Sequence, residues 1–183
     1  MKKGLGVLCF VMFLLGITSC NEKRTAPVLD VESNDTIDVV DTTMYGRCGD
    51  GSAMHTLELI TDQNDTLLIM VNTDSVMSVR GGMAVGDRIA AIVEKDEDGV
   101  LRSEMVVNLT TLLGKWVALD RSFEILEGGI VEGDTHEPHP YRDWKINNGR
   151  LVLSTDTFSV YELGVDSLLL ENDRGIYCYK RLR

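Results

Sequence analysis

From residue 54 onward the chain alternates apolar and polar positions in runs of four to eight residues, broken by Gly, Asn and Asp. A period of two predicts half-buried β-strands, because successive side chains point to opposite faces of a sheet. Residues 54–60 (MHTLELI) and 66–71 (TLLIMV) are two such runs, and the five residues between them are of hairpin-loop length. Residues 89–94 and 101–109 form a second pair around Lys95-Asp96-Glu97-Asp98-Gly99, where charge and glycine mark the turn. Between the pairs the chain crosses over on Gly81-Gly82 and Gly86, and residues 44–48 supply a leading strand. Residues 44–109 therefore predict a small barrel of five to six strands. Gly86-Asp87-Arg88 ahead of an apolar strand resembles the turn of OB-type and SH3-like barrels.

The second half is more regular. Strands are predicted at 115–120, 122–127, 129–132, 141–146, 150–154, 158–163, 167–171 and 176–182. Such spacing, with no helical period intervening, predicts an antiparallel meander that closes into a barrel. Asn147-Asn148-Gly149 lies between WKI and LVL, where residues able to adopt positive φ are wanted. The expected fold class is all-β: an N-terminal OB-like barrel followed by a C-terminal meander over 110–183, able to fold by itself.

The pattern differs before residue 44. Lys2 and Lys3 precede an apolar stretch over 5–17, then Ile17-Thr18-Ser19-Cys20. A charged start and an apolar run too short for a bilayer predict a secretion signal over residues 1–20. The tetrapeptide resembles the lipobox of bacterial lipoproteins, which implies that Cys20 is acylated and becomes the new N-terminus. Several acyl chains hold a soluble domain to a membrane durably, each buried CH₂ contributing about 0.8 kcal/mol. With Asn21 after the cysteine, the resemblance implies an outer-membrane anchor, the chain facing the periplasm or the cell surface. Residues 21–43 are rich in Asp, Glu, Ser and Thr, contain no aromatic residue, and read as a flexible acidic tether.

Thr111-Leu112-Leu113-Gly114-Lys115-Trp116 resembles the Gly-x-Trp opening of lipocalins, and residues 110–183 resemble the short lipocalin-like domain of Gram-negative lipoproteins. Trp144 matches that group's second tryptophan. The resemblance implies that Trp116 closes the barrel base against an arginine, for which Arg181 is the nearest match, a contact that cation–π attraction favours. Two features depart from the family: the domain is roughly half the usual lipocalin length, and the long C-terminal helix is lacking. Trp116 and Trp144 are the candidate ligand-binding residues; the alternative is that both simply pack a core.

Charge and chemistry narrow the function further. The formal net charge is -11, and loss of Lys2 and Lys3 with the signal makes the mature chain more acidic still. Nucleic acid is excluded as a partner, because neutralising phosphates needs a basic face. Of four cysteines, Cys9 leaves with the signal and Cys20 carries lipid, which leaves Cys48 and Cys178 as a disulfide or two thiols. There is no Gly-x-Ser-x-Gly and no phosphate-cradling glycine loop, so no catalytic residue is assigned. His136-Glu137-Pro138-His139, after Asp134, gathers metal-capable side chains. Histidines three apart on a proline-containing loop are not held on one face, so neither metal nor cofactor is assigned. Asp-Thr and Asp-Ser steps at 35–36, 41–42, 65–66, 74–75 and 166–167 resemble the O-glycosylation signal of some gut-dwelling Gram-negative bacteria, or are turn residues. The expected protein is a non-enzymatic envelope lipoprotein that binds a small apolar ligand or an envelope protein. The alternative is a structural or stress-sensing partner whose barrels are solid.

Overall fold

Residues 40–71, 78–134 and 136–183 are described by a computed structural model of the chain. The signal segment, Cys20 and most of the tether lie outside the described residues. The first six strands are β1 (Met44–Cys48), β2 (Thr56–Thr61), β3 (Thr66–Val71), β4 (Val79–Arg80), β5 (Arg88–Lys95) and β6 (Leu101–Asn108). They lie in the order β3-β2-β1-β5-β6-β4, and a parallel pairing of β3 with β6 closes five of them into a barrel. This strand order, closed by one parallel pair, is that of an OB-like barrel. Period-two burial builds its wall: Leu57 and Leu59 of β2 and Ile69 and Val71 of β3 point inward, while Glu58, Ile60, Leu68 and Met70 point out.

A single helical turn, α1 (Leu109–Leu112), links this barrel to the second sheet. Asn108 begins it by accepting a hydrogen bond from the Thr111 backbone N–H, as an N-cap does. Eight strands follow: β7 (Gly114–Val117), β8 (Ser122–Ile125), β9 (Val131–Gly133), β10 (Trp144–Asn147), β11 (Arg150–Leu153), β12 (Asp156–Leu163), β13 (Ser167–Asn172) and β14 (Gly175–Leu182). Every pairing is antiparallel, and β14 returns to β7. The remaining gap, between β9 and β10, is spanned by one bridge from Ile130 to Asp143, so the barrel is nearly closed. Asn148 and Gly149 take φ of 45° and 72°, as a two-residue hairpin between right-twisted strands requires.

A meander puts successive turns at opposite ends of its barrel. The turns at 126–130, 148–149 and 164–166 share one end, and this end faces the first barrel. Gly149 sits against Ile92 and Met105, the Gly81 N–H donates to Leu163 O at 2.9 Å, and Arg80 Nε donates to Val160 O at 2.6 Å. The turns at 118–121, 154–155 and 173–174 and the loop at 134–143 share the other end, which opens to solvent.

The second barrel's core also draws on residues before 110, where the sequence places the start of a domain. Ile89 and Ala91 of β5 and Val106 of β6 point into the first barrel's core, whereas Ala90 and Val107, on the opposite faces of the same strands, join Leu109 and Leu112 in the second barrel's core. Two strands are thus buried on both faces. Met44 to Cys48 adds to the joint, with the Tyr45 hydroxyl donating to Ile146 O at 2.8 Å. Residues 39–183 form one compact unit.

Candidate functional site

The two tryptophans occupy different environments. Trp116, on β7, is 0% exposed, and its indole Nε1 donates to Leu112 O at 2.9 Å. Arg181, on the paired strand β14, lays its guanidinium carbon 4.2 Å from the centroid of the indole. Phe123, Ile125, Leu151 and Leu153 are buried with Trp116. A side chain without accessible surface borders no space large enough for water, so these residues fill the barrel. Trp116 accordingly has no surface to offer a ligand.

Trp144, at the start of β10, is half-buried and faces a groove of about 570 Å³ between the barrels. Five separated stretches build this groove: Tyr45 and Arg47 from β1, Gly86 and Arg88 at the entry to β5, Leu109, Thr110 and Leu113 around α1, Glu127 to Gly129, and facing them Trp144, Lys145 and Ile146. Tyr45 and Trp144 have both spent their polar tips on backbone carbonyls, the hydroxyl on Ile146 O and the indole Nε1 on Leu126 O at 2.7 Å. What they turn to the groove is ring surface. Leu109, Leu113 and Ile146 complete an apolar lining.

Charge lies around this lining. Arg88 grips Asp62 with both guanidinium nitrogens, at 2.5 and 2.6 Å, and this hydrogen-bonded pairing holds the Asp62 carboxyl below its ordinary pKa and raises that of Arg88. Arg47 donates through Nη1 to Gly86 O at 3.0 Å, and the Lys145 ammonium makes no hydrogen bond to the described residues. Asp41 lies near Lys145. Burial opposes its ionisation, but hydrogen bonds from Thr43 and the Asn148 N–H prevail and lower its pKa. Burial raises the pKa of Tyr45, so its phenol stays a donor.

The open end of the second barrel is a polar mouth over aromatic rings. Tyr141, Phe158, Tyr177 and Tyr179 line a recess of about 240 Å³ there with Arg121 and Arg174. Phe123 meets Tyr141 and Tyr179 edge to face at 5.5 and 5.0 Å, which fixes the rings. Arg121 pairs with Glu137 at 2.9 Å and stacks 4.6 Å from the Tyr141 centroid, while Arg174 pairs with Asp156 at 2.5 Å. Glu137 also accepts from the Ser122 N–H, so the loop that carries the histidines is tied down beside the mouth. His136 Nδ1 lies 2.9 Å from Asp134 Oδ1 and its ring is 93% exposed. His139 lines a neighbouring recess with Arg142 and Asp143. Among the described residues, no group of three or more His, Cys, Asp or Glu is placed to hold a metal ion.

Cys48 is buried in the first core and Cys178 is exposed, and both are free thiols. No helix among the described residues is long and apolar enough to cross a membrane. No protein-family model, curated protein or solved structure matches this chain. Its site is therefore read from its own geometry. Of the two tryptophans singled out by sequence, the groove contains Trp144 and not Trp116. The remaining lining residues, Tyr45, Arg47 and Leu113 among them, carry no local pattern that marks them, since they come together only through the docking of the two barrels.

Proposed function

We propose that this protein is a non-enzymatic envelope lipoprotein, anchored to the outer membrane through an acylated Cys20, that binds a small apolar ligand in the groove at Trp144. One observation carries the reading: the interior around Trp116 is filled by side chains, while the groove between the barrels offers about 570 Å³ whose lining includes Tyr45, Trp144, Leu109, Leu113 and Ile146 among charged and glycine residues. Cavities of this size and lining suit small organic molecules. Trp116 belongs to the core in this account and acts by holding the barrel end in shape. The lipid anchor rests on the segment ending at Cys20, which fixes where such a binding function would operate. A second reading, a partner protein with solid barrels, draws on the same filled interior and places the activity in a protein interface.

Titration with N-phenyl-1-naphthylamine, a neutral aromatic probe that brightens in apolar surroundings, separates the two. Saturable brightening that is lost in Trp144→Ala, in a variant that keeps its cooperative melt, supports the groove. Absence of saturable binding to the folded protein favours the interface reading.

A further inference from the structure

The groove carries charge as well as apolar surface, and in its lining cations outnumber acids, the reverse of the whole chain. Among the lining residues Arg47, Arg88 and Lys145 are cations and Glu127 is the one acid, in a protein of formal net charge -11. The two acids just behind this lining are already engaged. Asp62 accepts both nitrogens of Arg88, and Asp41 accepts from the Thr43 hydroxyl and the backbone N–H of Asn148. Arg88 is therefore neutralised in place. Arg47 uses one nitrogen on a backbone carbonyl and keeps its other donors, and Lys145 keeps all three. The ring faces of Tyr45 and Trp144 lie in the same groove, with their polar atoms turned to the backbone.

This arrangement rests on the groove being the binding site and goes further on what it takes. We infer that its ligand is a small acidic amphiphile: an apolar body against Tyr45 and Trp144, with a single anionic head group held by Arg47 and Lys145. A neutral ligand of the same shape would gain the apolar contacts alone. An anionic one adds charge-assisted hydrogen bonds in a partly desolvated site, where they are stronger than in water. The net negative charge of the protein disfavours approach of such a ligand to its acidic surfaces, which adds selectivity to the groove's attraction.

The test uses two probes with one aromatic frame, the anionic 1-anilinonaphthalene-8-sulfonate and the neutral N-phenyl-1-naphthylamine, titrated into the intact protein and into variants whose melts match it. The sulfonate is expected to bind more tightly than the neutral probe, with an affinity that falls as salt is raised. Arg47→Gln combined with Lys145→Gln should weaken the sulfonate about tenfold and leave the neutral probe within about twofold. Glu127→Gln should tighten the sulfonate alone. Equal binding of the two probes, or sulfonate binding indifferent to these substitutions, overturns the acidic head group while leaving the groove as a site for neutral ligands. If neither probe binds, or if Trp144→Ala leaves both unchanged, the groove itself is not the site and both readings fall.

Discussion

Arg181 sits with its guanidinium over the ring of Trp116 and at the same time closes the end of α1. Its Nη1 donates to Leu113 O at 2.5 Å, its Nη2 to Thr111 O, and its Nε to Val165 O at 2.5 Å. One side chain thereby satisfies carbonyls that a helix C-terminus leaves open, packs on the barrel's largest buried ring, and ties in the turn between β12 and β13. Gly114 makes room for it: φ there is 124°, and a Cβ at this position would collide with the guanidinium. The Gly-x-Trp opening and the arginine near the chain end are thus one unit, joined where the two barrels meet.

Truncation of Arg181 should be costly. Arg181→Ala is expected to lose about 2 kcal/mol of stability, from the ring contact and from carbonyls left without a donor. Arg181→Lys should recover only part of this, because an ammonium cannot reach three carbonyls in one plane. Urea denaturation of the three proteins measures both, and equal stabilities would show that the contact is incidental.

The shared core sets a second expectation. A fragment of residues 110–183 lacks Ala90, Val107 and Leu109, all of which belong to the second barrel's core, and also lacks the hydrogen-bond partners of Val160 and Leu163. It should show no cooperative melt by circular dichroism, whereas residues 40–183 should melt in a single transition. A fragment that folds by itself with a sharp transition would mean that the contacts across the joint add little.

Most of the strands are legible in the sequence because their burial is one-sided. The eight strands of the second barrel fall close to the positions that alternation predicts, and Asn148-Gly149 forms the hairpin its residues favour. The exceptions have physical causes. β9 starts late because residues 127–129 form a tight 3-10 turn, and β10 starts late because the loop before it takes up residues 141–143, which alternate like a strand, with Tyr141 buried outside any strand. β4 is two residues long and pairs in parallel, and the parallel closure of β3 on β6 leaves no trace in either strand's own pattern. Ile89-Ala90-Ala91 and Val106-Val107 do carry a signal, since consecutive buried residues indicate a strand covered on both faces. That run reveals the joint between the barrels but not the groove beside it, whose walls come from segments up to about a hundred residues apart.

Alkaline pH should act on the second barrel through its tyrosines. Burial raises the pKa of Tyr179 above the ordinary phenol range and that of Tyr141 in the same direction. A raised pKa means that the folded state keeps a proton which the unfolded chain gives up. The resulting stability is whole below the unfolded pKa of about 10 and is lost as pH rises from there through the folded value. Tyr179→Phe should flatten this alkaline decline while changing stability at neutral pH by no more than about 1 kcal/mol. Denaturation curves collected across this range decide it, and an unaltered alkaline limb would assign the decline to other groups.

Inside the first barrel, the Ser103 hydroxyl on β6 is buried without a hydrogen-bond partner among the described residues. Burying a polar atom unsatisfied costs stability that its removal returns. Ser103→Ala should therefore be neutral or stabilising by up to about 1 kcal/mol, as read from the urea midpoint. A loss of more than this would reveal a hydrogen bond formed by the hydroxyl in solution.

The central claim is that the groove between the barrels, and not the interior of the second barrel, is the binding site. A crystal structure of the protein grown with N-phenyl-1-naphthylamine tests it most directly. The account predicts the probe between Tyr45 and Trp144, against Leu109 and Leu113, with Trp116 and its neighbours unmoved. A probe lodged inside the second barrel, with Trp116 or Phe158 displaced to admit it, would contradict the account.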